Sequence, residues 1–120
     1  MAERSFPFAS VNGDRKYTDQ NFREYFGALV SNGVFPVGTQ LQVQADSGIT
    51  LNLTEGFAWI NGACYQVLGG GQSLMLAVSD GVLDRVDRVV VRFDRTARSV
   101  HASVLEGEPA SSPIAPDIVR

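Results

Sequence analysis

The residues best suited to acid–base chemistry lie in one short stretch, SDGVLDRVDRVVVRFD, residues 79–94. Asp84 and Asp87 are three positions apart, and an arginine follows each of them, Arg85 and Arg88. A general acid at neutral pH needs a raised pKa, whereas a cationic neighbour lowers the pKa of a carboxyl group. We therefore predict structural ion pairs, Asp84 with Arg85 and Asp87 with Arg88, formed within the chain or across a subunit boundary.

The other reactive residue types are too sparse for a familiar catalytic or metal site. Cys64 and His101 are the only cysteine and the only histidine, so neither a zinc site nor a Cys–His nucleophile is expected. Cys64 lies in an apolar run and is expected to be a small buried side chain, and His101 is expected to face solvent on a strand. The glycines at 69–71 lack the lysine and the hydroxyl residue of a phosphate-binding loop. The sequence predicts no metal, no cofactor and no enzymatic activity.

Two pairs of aromatic residues are candidates for an interface. Phe57 and Trp59 share one face of a predicted strand, and an exposed aromatic patch there would be typical of a binding surface. Burial of this pair in the core of a two-sided sheet is the alternative. Phe6 and Phe8 lie in an otherwise polar N-terminal arm that docks either on its own domain or on a partner.

One helix precedes these strands. Thr18 is a suitable N-cap and Asp19 favours the positive end of the helix dipole, while Asn32-Gly33 is typical of a left-handed C-cap. The predicted helix runs from Asp19 to Ser31. Its apolar residues recur at i, i+3, i+4, i+7 and i+8 and form a single stripe: Phe22, Tyr25, Phe26, Leu29 and Val30.

After Pro36 the period of the apolar residues changes from helical to alternating. Turn signals separate about seven short strands, and the strongest of them is Asn61-Gly62, which predicts a tight hairpin. The predicted strands cover 41–45, 49–53, 57–60, 63–68, 74–78, 89–93 and 100–105, with a turn at Asp80-Gly81 before the last hairpin. The fold class is therefore mainly β: an antiparallel β-sandwich of about seven short strands with one N-terminal amphipathic α-helix.

The chain of 120 residues divides into an N-terminal arm at 1–17, a β-rich domain at 18–106 and a Pro-rich exit segment at 107–120. The exit segment is expected to lead into a further part of a longer protein. A net charge of −3 argues against nucleic-acid binding, and no basic run indicates a membrane surface. The N-terminus lacks the apolar segment of a signal peptide, so we expect synthesis and folding in the cytoplasm.

Five segments in order resemble one family: the lead-in SFPFASVNGDRKYT, the F-x-x-Y-F helix with NGVFP, GFAWINGACY, DGVLDRVDRVVVRFD and GEPASSPIAP. Together they cover nearly the whole chain and resemble the N-terminal domain of phage baseplate upper proteins, adaptors of tailed phages of Gram-positive bacteria. None of these motifs is specific alone, and their order carries the resemblance. The resemblance implies a β-rich multimeric virion domain that docks on the tail hub and carries receptor-binding parts, without catalytic residues.

Two other classes of function remain open. A β-sandwich with an exposed tryptophan can be a carbohydrate-binding module of a cell-surface or cell-wall-binding protein, in which Trp59 would stack on the sugar. A fragment of a cell-wall hydrolase is the third hypothesis, and it lacks a recognisable constellation of catalytic residues.

Overall fold

A computed structural model of the chain describes residues 3–79 and 81–118. In this part of the chain one helix is followed by eight short strands. They are α1 (Asp19–Leu29), β1 (Gly33–Val34), β2 (Val43–Ala45), β3 (Thr50–Leu53), β4 (Gly56–Ile60), β5 (Ala63–Val67), β6 (Gln72–Met75), β7 (Arg88–Asp94) and β8 (Ser99–Leu105). The mainly β, antiparallel fold class with one N-terminal helix is confirmed.

The strands form three small antiparallel sheets, ordered β1-β4-β5, β2-β3-β6 and β7-β8. The β7-β8 hairpin has the longest strands, with Val91 paired to Ala102 near its middle. It contacts β4 and β5 of the first sheet and β6 of the second. The last hairpin therefore joins the other two sheets.

The predicted hairpins are confirmed where alternation and turn residues agree. β2 pairs with β3, β4 with β5, and β7 with β8. The turn between β4 and β5 has positive φ at both Asn61 and Gly62, as a type I′ hairpin requires. β1 was not predicted, because two residues are too few to show alternation. Asp80, half of the predicted turn at Asp80-Gly81, lies outside the described residues.

The predicted N-terminus of the helix is confirmed and its C-terminus is wrong. Thr18 is the N-cap and forms a reciprocal capping box with Asn21. The helix ends at Leu29 with Val30 in an extended conformation. Asn32-Gly33 is not a left-handed cap, because Gly33 begins β1 and pairs with Trp59, while the Asn32 side chain accepts a hydrogen bond from the Asn61 N–H at 2.8 Å.

The buried core of the described residues is small. Its buried hydrophobic residues are Leu53, Ala58 and Val67, and none of the described side chains is completely buried. The chain exposes 9110 Å², about 2,800 Å² more than a compact monomer of its 13.0 kDa mass would. Its radius of gyration is 19.0 Å, against about 13.6 Å for a compact domain of this length. The molecule is therefore extended, and much of its apolar surface is uncovered.

Candidate protein-binding surface

Helix α1 has an apolar stripe that its own sheets leave largely uncovered. No residue of the helix is buried. Phe22, Tyr25, Phe26 and Leu29 are all exposed, and Leu29 is 69% exposed. The sequence predicted the stripe correctly, but its exposure depends on how the helix sits on the sheet, which periodicity does not report.

The two phenylalanines of the N-terminal arm lie in different surroundings. The ring of Phe6 lies 5.0 to 5.3 Å from the rings of Tyr17, Phe22 and Tyr25, centroid to centroid. The Phe8 backbone N–H donates to the Tyr17 hydroxyl at 3.0 Å, but the Phe8 side chain itself is 60% exposed. Phe6 therefore docks on its own helix, and Phe8 remains available to a partner.

The helix is held by a close approach to the β4–β5 turn. Gly62 lies so near the Arg23 carbonyl that a Cβ at this position would overlap the carbonyl oxygen. A Cβ on Gly27 would in turn lie 3.7 Å from the Gly62 backbone nitrogen. The Asn61 hydrogen bond to Asn32 ties the end of the helical segment to the same turn. Against the β4–β5 turn, the middle of the helix is thus held by a close backbone approach.

Beside this contact an open cleft of about 930 Å³ separates α1 from the β5 and β7–β8 strands. Phe22 and Phe26 form its helix wall, while Cys64, Phe93 and Val100 are among the residues of the opposite wall. The prediction that Cys64 is buried is wrong, since Cys64 is exposed. The reason is alternation: Ala63, Tyr65 and Val67 are more buried, and Cys64 and Gln66 face outward.

We call the exposed stripe of α1 together with this cleft the helix surface; its residues are Phe22, Tyr25, Phe26, Leu29, Cys64, Phe93 and Val100. Three arginines also line the cleft: Arg23, Arg95 and Arg98. The Arg23 guanidinium carbon lies 5.3 Å from the centroid of the Phe93 ring, a cation–π distance. The surface combines aromatic side chains with arginine, the composition typical of protein interfaces.

The charged residues of α1 are paired within the chain. Arg23 forms an ion pair with Asp19, and Arg4 of the arm pairs with Glu24 at 2.6 Å. The hydrogen bond and the charge of Arg23 lower the pKa of Asp19. Hydrogen bonds from Arg4 and Gln20, together with the Arg4 charge, lower the pKa of Glu24. The charges carried by the helix itself are therefore balanced.

The second aromatic pair lies on β4. Ala58 is buried while Phe57 is exposed, so the predicted alternation is present. The Trp59 ring is half-buried, edge-on to Phe35 with the ring centroids 5.6 Å apart. This face offers less free aromatic area than the helix surface. His101 is exposed on β8, as predicted.

The acid–arginine cluster forms a different ion pair from the one the sequence predicted. Arg85 pairs with Asp87, through its Nε at 2.8 Å and its Nη2 at 3.1 Å. Adjacent side chains of an extended chain point to opposite sides, and residues two apart share a side. This alternation places the Arg85 side chain on the same side as Asp87. Among the described residues no ion pair is formed by Asp84 or Arg88.

Arg85 joins three segments into what we call the clasp, which consists of Arg85, Asp87, Ala77, Glu106 and Gly107. Its guanidinium donates to the Ala77 carbonyl at 2.8 Å and to the Glu106 carboxylate at 3.1 Å. The Gly107 N–H donates to Asp87 at 2.9 Å. Only 10% of the Arg85 side chain and 12% of the Asp87 side chain are exposed.

The clasp changes the acidity of Asp87. Burial raises the pKa of this carboxyl group, but the Gly107 N–H and the Arg85 guanidinium outweigh burial and hold the pKa below its ordinary value. The group stays ionised near neutral pH and is unsuited to act as a general acid there.

The Pro-rich exit segment folds back along the entry to β7. The Ala110 N–H donates to the Asp84 carbonyl at 3.0 Å, and Arg88 Nε donates to the Pro116 carbonyl at 2.9 Å. Asp84 and Arg88, predicted to form ion pairs, instead hold this segment through the Asp84 main chain and the Arg88 side chain. Nothing in the sequence pattern indicated these contacts.

No relative among known proteins helps to interpret these surfaces. Within the described residues, no group of three or more His, Cys, Asp or Glu side chains is placed to hold a metal ion. The helix found in that part of the chain, α1, is too short and not apolar enough to cross a membrane. No protein-family model, curated protein or solved structure matches the chain.

Proposed function

We propose that this chain is a structural adaptor domain of a phage or prophage tail baseplate. It docks on the tail hub, associates with further copies of itself and carries receptor-binding parts through protein–protein contacts. In this proposal it acts in the virion, has other baseplate proteins as partners and performs no catalysis. The observation that carries the proposal is the helix surface, an aromatic stripe and cleft that the chain's own sheets leave uncovered.

The size of the uncovered area supports a role in an assembly. Exposed aromatic surface is costly in water at about 25 cal/mol per Å², and large exposed apolar patches are typical of interaction sites. Permanent complexes bury about 2,000 to 5,000 Å² summed over both partners, or about 1,000 to 2,500 Å² from each, so an excess of about 2,800 Å² on one chain is enough for such a contact. A subunit that works inside a larger particle would have this surface covered.

The exit segment supports the carrying role. Its hydrogen bonds to Asp84 and Arg88 fix its direction relative to the last hairpin. In an adaptor, a receptor-binding part attached beyond this segment would start from a fixed point on the domain. The two hydrogen bonds hold the exit segment in place and do not suggest a catalytic role for it.

Co-purification with the tail hub protein encoded beside the gene tests the proposal. The full chain should form a stable complex with the hub that elutes as one species in size-exclusion chromatography with light scattering. Absence of a complex at about 50 µM of each protein, well above the dissociation constants of stable assemblies, would overturn it. Glycan binding that is lost in Trp59→Ala would favour the carbohydrate-binding module instead.

A further inference from the structure

We infer that the cleft between α1 and the β7–β8 hairpin binds an acidic, partly apolar segment of a partner protein. Carboxylates of this segment would be held by Arg95 and Arg98, and its apolar side chains by the aromatic walls. The inference deepens the proposed function by naming the chemistry of the segment that docks. It rests on the proposed function only for the identity of the partner, the tail hub.

Two arginines of the cleft have no charged partner in the chain. Arg95 and Arg98 lie in the turn between β7 and β8, are exposed and line the cleft. Within residues 3–79 and 81–118 neither side chain forms an ion pair, whereas Arg23 is paired with Asp19. The two guanidinium groups are therefore free to bind carboxylates, for which arginine supplies a planar pair of donors.

The acidic residues of the cleft do not cancel this charge. Asp94 also lines the cleft, but its carboxylate accepts a hydrogen bond from the Ala97 N–H at 2.9 Å and so closes the turn. Three arginines and two aspartates line the cleft, which gives it a net charge of +1: Arg23, Arg95, Arg98, Asp19 and Asp94. The whole chain carries −3. The cleft would therefore attract an acidic segment that the rest of the surface repels.

Arg98 has a backbone conformation that does not favour arginine. Its φ is +56°, in the left-handed region that glycine and asparagine adopt most readily. The turn would therefore form more easily with one of those residues at this position. Local structure gives no reason for an arginine here, and a binding role for its guanidinium group supplies one.

The aromatic walls favour a protein segment over a polyphosphate such as nucleic acid. Phe22 and Phe26 on the helix face Phe93 across the cleft, and aromatic side chains beside arginine are typical of protein interfaces. A polyphosphate carries a charge at every repeat, so it would meet Asp19 and Asp94 as well as the arginines. A peptide that combines carboxylates with apolar side chains matches both parts of the cleft.

Binding of the tail hub protein to two double variants of the full chain tests the inference. The cleft variant is Arg95→Gln with Arg98→Asn, in which asparagine suits the positive φ, so folding should be preserved. The control is Arg92→Gln with Arg15→Gln, which removes the same charge at exposed arginines outside the cleft.

We expect the dissociation constant for the hub to rise about tenfold or more in the cleft variant and to stay within about twofold of the wild type in the control. Raising the salt concentration from about 0.1 M to about 1 M, which shortens the screening length from about 10 Å to about 3 Å, should weaken the wild type more than the cleft variant. Equal affinities of the two double variants would overturn the inference and leave the proposed function intact.

The thiol of Cys64 reports whether the cleft itself is occupied. It is the only cysteine and lies in the cleft, so its reaction with iodoacetamide, a neutral reagent, should slow when the hub is bound. Hub binding that leaves this rate unchanged would place the hub elsewhere and overturn the inference.

If the hub does not bind, the proposed function fails, and two synthetic peptides test the cleft without it. One alternates glutamate with leucine, and the other alternates glutamine with leucine. Tighter binding of the glutamate peptide, lost in the cleft variant, would support the inference independently of the hub. Equal binding of the two peptides, or tighter binding of a single-stranded oligonucleotide, would overturn it.

Discussion

The two ends of the long β7–β8 hairpin are built in opposite ways. At the end where β7 begins and β8 ends, the clasp surrounds Arg85 and Asp87 with hydrogen-bond partners from three segments, and both side chains are nearly buried. At the turn end, α1 stands over an open cleft and buries none of its residues. At one end the polar side chains are hydrogen-bonded within the chain, and at the other end aromatic side chains are exposed to solvent.

This difference separates a region that should govern the stability of the domain from a region whose aromatic side chains are free to make contacts. A buried ion pair with complete hydrogen bonding depends strongly on each partner, because removing one leaves a buried charge. A helix with no buried residue, held by a few exposed contacts, can move at less cost. We therefore expect substitutions in the clasp to unfold the domain, and substitutions at the helix end to change its mobility and its association.

The largest effect is expected from Arg85→Ala. It would leave the Asp87 carboxylate buried without its cation and remove the links to Ala77 and Glu106. The free energy of unfolding in urea should fall by about 3 kcal/mol. Arg4→Ala, which breaks the exposed pair with Glu24, is the control and should unfold like the wild type. Equal effects of the two variants would contradict the contrast between the ends.

Gly107→Ala is the next test of the clasp. A Cβ on Gly107 would overlap the Val86 carbonyl oxygen, a main-chain atom that cannot rotate away as the end of a side chain could. We expect a loss of about 2 kcal/mol in the free energy of unfolding. Gly69→Ala, whose Cβ would meet its nearest atom at 3.7 Å, should change stability by less than about 0.5 kcal/mol. A harmless Gly107→Ala would mean that the exit segment is loosely held.

Gly62→Ala makes a similar overlap at the helix end, with the Arg23 carbonyl. Here we expect a smaller loss, about 1 kcal/mol from the positive φ alone, because the helix can move away from the turn. Gly48→Ala has a positive φ as well but open space around it, so it carries the strain without the overlap. Hydrogen exchange of the α1 amides should accelerate in Gly62→Ala and stay unchanged in Gly48→Ala. Equal exchange in both would show that the contact at Gly62 does not hold the helix.

The features that the sequence predicted correctly are those set by neighbouring residues. The β4–β5 hairpin follows from Asn61-Gly62, and the start of α1 follows from Thr18, because local geometry decides both. The ion-pair partner of Arg85 and the burial of Cys64 were predicted wrongly, although strand alternation, applied residue by residue, accounts for both outcomes.

Other features depend on contacts between distant segments. No periodic pattern in the sequence indicates that Arg88 binds the Pro116 carbonyl, that Gly107 has no space for a Cβ, or that a cleft lies beneath α1. The stripe of the helix was visible in the sequence, but whether a sheet covers it is a property of the tertiary structure.

The dependence on pH is the smallest expected effect. The pKa of Asp87 is lower in the folded chain than in the unfolded chain, so its contribution to stability is complete above about pH 4 to 5 and declines as pH falls through the folded pKa. The stability difference between the wild type and Asp87→Asn should therefore shrink below about pH 4. Glu24→Gln, at the exposed pair of the helix end, should leave the acid limb of the stability profile nearly unchanged. A constant difference between wild type and Asp87→Asn across this range would mean that the ionised carboxylate does not stabilise the clasp.

Residue-resolved hydrogen exchange of the wild-type chain, measured alone and in the presence of the tail hub protein, tests most directly whether the helix end is an interaction surface. The amides of β7 and β8 at the clasp end should exchange at the same slow rates in both samples, since their partners lie within one chain. The amides of α1 should exchange rapidly in the chain alone and become protected when the hub is added. Helix amides that are equally protected, or equally unprotected, in both samples would contradict this.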